Sequence, residues 1–287
     1  MRPGWYIVNY HDVDYEDSIL TRALGVTTRP DVFAHHLEQM AEAGRFVSID
    51  EGCALLERDA IDEPIFSVWF DDGFAGVANE ALAACEQHRV PAAFSVCSRF
   101  VTRTKMFWRA QLSYLAATDG LRLVRSRLRK LYGEVPMRLK RWTVEAFTEP
   151  MVDVIDEVYQ ELAHEEFRRD AFRIFADEDR VAKLASSGWL IANHGAAHYP
   201  CNAALDSDAV LAQFEEGREL VRALGSPDRY WVVPFGFAEG DHRARLAEHA
   251  TVVETGNKTN TAERWRRTGS LIRYEAPPGR DLLAALR

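Results

Sequence analysis

The segment Pro64-Ile65-Phe66-Ser67-Val68-Trp69-Phe70 is apolar at almost every position and runs directly into Asp71-Asp72-Gly73. Unbroken apolarity, rather than alternation, is what a strand buried on both faces requires. Such a strand belongs inside a parallel sheet or barrel with helices packed outside it, because parallel neighbours need long crossover connections. The flanking sequence supplies that rhythm. Trp5 to Asn9 and Phe46 to Ile49 read as strands, and Val32 to Glu42 and Glu51 to Arg58 as helices. Val77 to Gln87 reads as a helix and Ala92 to Val96 as the next strand. The alternation predicts an α/β fold.

From Phe100 to about Arg180 the rhythm stops: there are helical stretches, among them Leu121 to Leu131 and Phe147 to Phe167, and no strand. It then resumes with Trp189 to Asn193 (strand), Ala209 to Ala223 (helix), Tyr230 to Pro234 (strand) and Arg243 to His249 (helix). Thr251-Val252-Val253 and Leu271-Ile272 read as late strands. The expectation is one barrel domain over residues 1–287, interrupted by a mostly helical insertion at about 101–180. Within that insertion Arg99 to Arg141 holds twelve Lys and Arg against two Asp and Glu, while acidic residues dominate from Glu145 to Asp179. Two readings follow: helices whose opposite faces pair, or a basic face (Arg122, Arg125, Arg127, Arg129, Lys130) that meets an anionic substrate group or an acidic surface.

Functional groups of α/β folds gather where strands end at their carboxyl side. Asp71 and Asp72 follow one strand, His194 and His198 another, and Pro234-Phe235-Gly236 a third. One Asp with two His makes a facial triad for a divalent metal, zinc before other transition metals, with positions open for water and substrate. The second Asp is then free to act as a base. Each piece alone has a plainer reading, since Asp-Asp-Gly after a strand is often only a turn and a lone His-x-x-x-His can decorate a surface. Their joint placement at strand ends favours the metal.

The run Phe66-Ser67-Val68-Trp69-Phe70-Asp71-Asp72-Gly73-Phe74 resembles the first motif of NodB-type polysaccharide deacetylases, and His194-Gly195-Ala196-Ala197-His198 resembles their second. Asn79 to Phe94, Gly188 to Asn193, Tyr10-His11-Asp12 and Gly44 to Ser48 are similar to the segments around those motifs. The resemblance covers roughly residues 5–100 and 180–240. It implies a distorted (β/α)7 barrel and metal-dependent removal of an acyl group, acetyl or formyl, from a sugar. It also implies Asp71 as general base and Asp72, His194 and His198 as metal ligands. Phe74, Pro234, Phe235 and Gly236 are expected to meet the substrate.

Two departures stand out. The third motif, usually Arg-x-Pro-Tyr-Gly, reads Val232-Val233-Pro234-Phe235-Gly236, so the Arg that orients the base in the family is replaced by Val; Arg273 is the substitute we consider. No histidine follows His249, so the family's late general acid is absent; His11 and His242 are the replacements considered, against a core role for His11 and a surface role for His242. These gaps keep open a catalytically silent protein that binds a sugar or partner, and a hydrolase of other specificity such as a deformylase.

The net charge of −9 excludes nucleic acid as the main partner. The opening MRPGWYIVNYHDVD lacks a secretory signal's apolar core, and no stretch approaches the roughly 18 apolar residues of a membrane span. Cys53, Cys85, Cys97 and Cys201 lie far apart without CxxC spacing, as free thiols do in a reducing compartment. The expectation is a cytoplasmic enzyme acting on a small-molecule, nucleotide-linked or lipid-linked acyl-amino sugar in surface polysaccharide biosynthesis. In that reading the basic half of the insertion takes the diphosphate.

Overall fold

The computed structural model describes residues 1–286. Seven parallel strands close into a barrel: β1 (Gly4–Tyr10), β2 (Pro64–Phe70), β3 (Ala93–Val96), β4 (Leu190–Asn193), β5 (Tyr230–Val232), β6 (Thr251–Thr255) and β7 (Leu271–Glu275). Each strand pairs with the next in chain order, and β7 returns to β1 through Val8↔Tyr274 and Asn9↔Glu275. The chain therefore adopts the distorted (β/α)7 architecture, with half of the described α-helices between β3 and β4. Along β2 one edge is taken by β1 throughout; the other is shared by a two-residue strand, Arg45–Phe46, and by β3.

Side chains alternate across each strand, so every second residue points into the barrel. Trp5, Ile7, Ile65, Trp69, Ala93, Ala192, Val232, Val253 and Leu271 fill its interior. Tyr6, Val8, Tyr10, Phe66, Val68, Phe70 and Phe94 pack outward against the helices. This is why β2 is apolar at nearly every position. Polar groups inside are paired: Trp5 Nε1 donates to Ser67 Oγ (2.9 Å), which donates to the Val47 carbonyl (2.7 Å). The same inward series continues past the strand ends to Asn9, Asp71, Ser95 and Arg273, which form the polar upper layer.

One expected strand is corrected. Only Arg45–Phe46 pairs as strand, and Ile49 opens a helix, Ile49–Glu57. The Ser48 hydroxyl accepts the Glu51 amide at 3.1 Å, a Ser-x-x-Glu start signal that overrides the β-branched pair beside it. The stretch from Phe147 to Phe167 also divides, into Glu149–Leu162 and Glu165–Ala171, where Ala163 takes an extended conformation.

The insertion has its own apolar core, built around Trp108–Ala117, Leu121–Tyr132 and Glu149–Leu162. It is tied to the barrel top by Phe175, which stacks on Phe74 (5.3 Å) and Phe100 (4.8 Å), and by the Ala176 amide donating to the Gly73 carbonyl (2.9 Å). Its charges pair internally: Arg127 contacts Glu157 and Glu161, and Arg125 donates to the Met137 carbonyl. Among the described residues no helix is long and apolar enough to cross a membrane.

Beyond β1, Asp12 is buried at 7% exposure, and its Oδ1 has no hydrogen-bond partner. Burial, with the nearby Asp14 adding to it, pushes its pKa up to about 7. A carboxyl whose pKa is higher folded than unfolded stabilises the fold while protonated; that contribution is full below about pH 4 and lost as pH rises through about 7. Asp12→Asn should therefore raise Tm at pH 8 by about 2–4 °C, equivalent to about 1 kcal/mol in a domain of this size, and change it much less at pH 5. Thermal melts at the two pH values check this, and an equal shift at both would contradict it.

Candidate metal centre

Asp71 is the next inward position after Trp69, and Asp72 then turns the chain out of β2 in a left-handed conformation (φ 70°), followed by Gly73 (φ 82°). A non-glycine residue is held there only where the surroundings over-determine it. His198 (φ 55°) and Phe235 (φ 61°) share this backbone state, so three of the seven such non-glycine residues among those described meet at this site. His194-x-x-x-His198 spans a loop, with Gly195 at φ 77°. At Gly236 (φ 81°) a Cβ would come within 2.7 Å of the Thr255 side chain, so only glycine brings the loop after Phe235 against β6.

The two imidazoles converge on one carboxylate oxygen. His194 Nε2 and His198 Nε2 each lie 3.1 Å from Asp72 Oδ1, and all three residues are buried. The contacts lack hydrogen-bond directionality, and Asp72 Oδ1 is a buried acceptor without a donor. His194 Nδ1 lies 2.8 Å from the Val232 carbonyl, a contact that places the proton on Nδ1 and turns the Nε2 lone pair toward Asp72. His198 is wedged edge-to-face between Phe107 (5.0 Å) and Phe235 (4.7 Å). Burial lowers the His198 pKa and so keeps its lone pair free. An orphaned carboxylate oxygen facing two imidazole lone pairs is a donor set that fits a divalent transition metal.

Beside it, Asp71 Oδ1 accepts from Arg273 Nη1 at 2.6 Å and from the Ser95 hydroxyl. Burial alone would raise the Asp71 pKa, but Arg273, with His194 and His11, outweighs it and brings the carboxyl down to about 2. Arg273 is fully buried, lies over the Trp69 ring (5.3 Å) and donates also to Asn9 Oδ1 (2.8 Å). Asn9 Nδ2 donates to Glu275 (3.2 Å), and Glu275 meets His11 Nδ1 (3.2 Å). One polar chain thus runs from Asp71 to His11. Burial by itself would lower the His11 pKa, but the Glu275 hydrogen bond and the charges of Asp72 and Asp71 bring it up to about 9.

Asn9, His11, Asp71, Asp72, both imidazoles and Glu275 line a cavity of about 220 Å³ at the carboxyl ends of the strands, with Phe107 and Arg109 from the insertion and Phe235 and Gly236 on the rim. Asp71, Asp72, His11, His194, His198, Phe235 and Gly236 are therefore brought together. Phe74 is not: it is fully buried against Phe175, serving the insertion core, and does not line the cavity. Pro234 is buried behind the rim. His242, considered as a relocated acid against a plain surface role, is buried away from the cavity between Ser207 and the Asn202 carbonyl. Arg125, Arg127 and Arg129 do not line the cavity either; Arg109 is the cation that does. Sequence reasoning missed Arg109, Phe107, Asn9, Ser95 and Glu275. The last three carried a faint signal as inward positions at strand ends.

A sequence model described as polysaccharide deacetylase matches residues 59–253. No curated relative matches the chain in sequence. Among solved structures, the Streptococcus pyogenes deacetylase PplD in complex with acetate superposes with a TM-score of 0.62 at 14% identity, covering 100% of both chains. IcaB from Ammonifex degensii superposes with a TM-score of 0.63 at 14% identity, covering 99% of this chain and 98% of its own. The de-N-acetylase from Aggregatibacter actinomycetemcomitans gives 0.58 at 14%, covering 94% and 93%. At that identity the likeness is one of fold.

Proposed function

Because this chain belongs to the polysaccharide deacetylase family, we propose that it is a metal-dependent hydrolase that removes an N-acyl group from an amino sugar. The observation that carries this reading is the orphaned Asp72 oxygen facing two imidazoles, one residue from a second carboxylate held by a buried arginine. A divalent metal held by Asp72, His194 and His198, zinc before others, would supply Lewis acidity toward the acyl carbonyl and lower the pKa of water from 15.7 to about 7.

The chain's own groups then divide the proton work. Asp71, kept ionised by Arg273, accepts the proton of the attacking water. Ser95 and Arg273 fix its orientation from two sides. His11, protonated at neutral pH beside Glu275, is placed to deliver a proton to the departing amine. Arg273 thus takes the place of the missing third-motif arginine, and His11 that of the missing late histidine. Both departures that had favoured a silent binding protein then have a compensating residue, His11 on the cavity wall and Arg273 buried behind Asp71.

The metal-loaded protein should release acetate or formate from an N-acyl amino sugar, and His11→Gln should slow that release on the order of 100-fold. The same variant should affect 4-nitrophenyl acetate hydrolysis far less, because that leaving group needs no protonation. Equal losses on amide and ester would remove His11 from the acid role. No release from any N-acyl amino sugar would leave the silent binding protein as the better reading.

A further inference from the structure

Within the cavity Asp71 is paired with Arg273 and Glu275 with His11, and Asp72 faces the two imidazoles of the proposed metal site. Arg109 has no such partner: among the described residues no carboxylate lies within ion-pair distance of its guanidinium. It is held instead by aromatic faces, 5.3 Å from the Phe235 ring and 5.7 Å from that of Trp108. Phe235 in turn packs 4.7 Å from His198, so this cation sits one aromatic ring from the proposed metal. Burial lowers its pKa, the sign of a charge partly stripped of water without compensation.

A second cation stands in the same corner. Lys140, from another helix of the insertion, has no carboxylate partner either, and burial first and the charge of Arg109 second lower its pKa. Its ammonium is tied to the Ala23 carbonyl, next to the cavity-wall residues Leu24 and Val26. Two like charges in a half-dry corner cost free energy unless an anion joins them. Of the other cations in the insertion, Arg99, Arg103, Arg127 and Arg141 each have an acidic partner, and none lines the cavity.

The geometry points to Arg109, backed by Lys140, as a subsite for an oxyanion carried by the substrate: a phosphate ester or carboxylate on the same amino sugar whose acyl group meets the metal centre. This rests on the reading of the cavity as a deacylation site and adds the class of sugar it takes. A planar guanidinium braced on two rings presents its N–H edge to such a group bidentately. The aromatic support leaves that edge free.

The test compares ligands that differ only in the anion. Calorimetric binding to the zinc-loaded protein would use N-acetylglucosamine, its 1-phosphate and 6-phosphate, and N-acetylmuramic acid. Wild type should bind at least one charged sugar about ten-fold or more tighter than the neutral one, and which one separates phosphate from carboxylate. Arg109→Gln should bring that ratio to within about two-fold, Arg109→Lys should keep part of it, and Arg125→Gln, outside the cavity, should keep all of it. No preference in wild type, or undetectable binding of every charged sugar, would overturn the subsite. A preference that survives in Arg109→Gln would overturn it too, placing the anion on the metal. The two readings fail separately: zinc-dependent amide hydrolysis without anion preference sinks only the subsite, and anion preference lost in Arg109→Gln without hydrolysis sinks only the reaction.

Discussion

Purified with its metal, the protein should carry about one divalent transition ion per chain, and His194→Ala should carry almost none. Two facts make this the largest effect on activity. His194 is one of three convergent ligands, and its ring is already oriented by the Val232 carbonyl, so little ordering cost remains when an ion enters. Removing it leaves Asp72 and His198, too few to hold zinc against water or chelators. Release of acyl acid should fall by about 10³-fold or more, roughly 4 kcal/mol of transition-state stabilisation, and chelation of the wild type should match that loss until zinc is returned. His35→Ala, on an exposed helix face paired with Glu38, should keep both metal and activity. Elemental analysis and acyl-release assays on the same preparations decide the matter; full metal in His194→Ala would dissolve the site as drawn.

Arg273→Met should be the most destabilising single change in the site. The Asp71–Arg273 pair is wholly buried, and removing one partner of such a pair costs about 3–5 kcal/mol because the other charge is left without compensation. Here the orphan is Asp71, whose carboxyl the arginine had held near 2. Methionine fills much of the same space but not the guanidinium's place over Trp69, so the loss is chiefly one of charge. The double variant Arg273→Met/Asp71→Asn should regain much of the stability, since no buried charge then lacks a partner, yet remain inactive for want of a base. Denaturant unfolding of wild type, both single variants and the double variant closes the cycle. A double variant no more stable than Arg273→Met alone would show that the arginine acts through packing.

How far this was legible follows from the range of each interaction. β2 was legible because burial on both faces writes an unbroken apolar run. The late strands were legible as short β-branched runs, though nothing local says that Leu271–Glu275 closes the ring. The ligands Asp72, His194 and His198 carried spaced motifs at strand ends, and the structure brings them together. Arg273 was reachable only by asking what replaces a missing arginine; its contact with Asp71 spans 202 positions and leaves no local pattern. Arg109 was hidden among the twelve cations between Arg99 and Arg141, where composition cannot separate the one facing a cavity from those facing glutamates. Phe74 misled for the opposite reason. Its place beside the Asp-Asp motif argued for substrate, but that face of the loop is covered by Phe175, a residue of the insertion.

Closure of the barrel through its first and last strands also has a consequence in time. The chain is made from its amino end, so β1 emerges with one edge paired to β2 and the other bare until residues 271–275 are translated. Over that interval the bare edge is a docking template for any other strand, and its protection depends on how soon residues 271–275 are made. The proposed metal ligands, at residues 72, 194 and 198, are all made before then. In the proposed reading a nascent chain can take up its ion while Asp71 still lacks Arg273, and hydrolysis waits for the strand that carries that arginine.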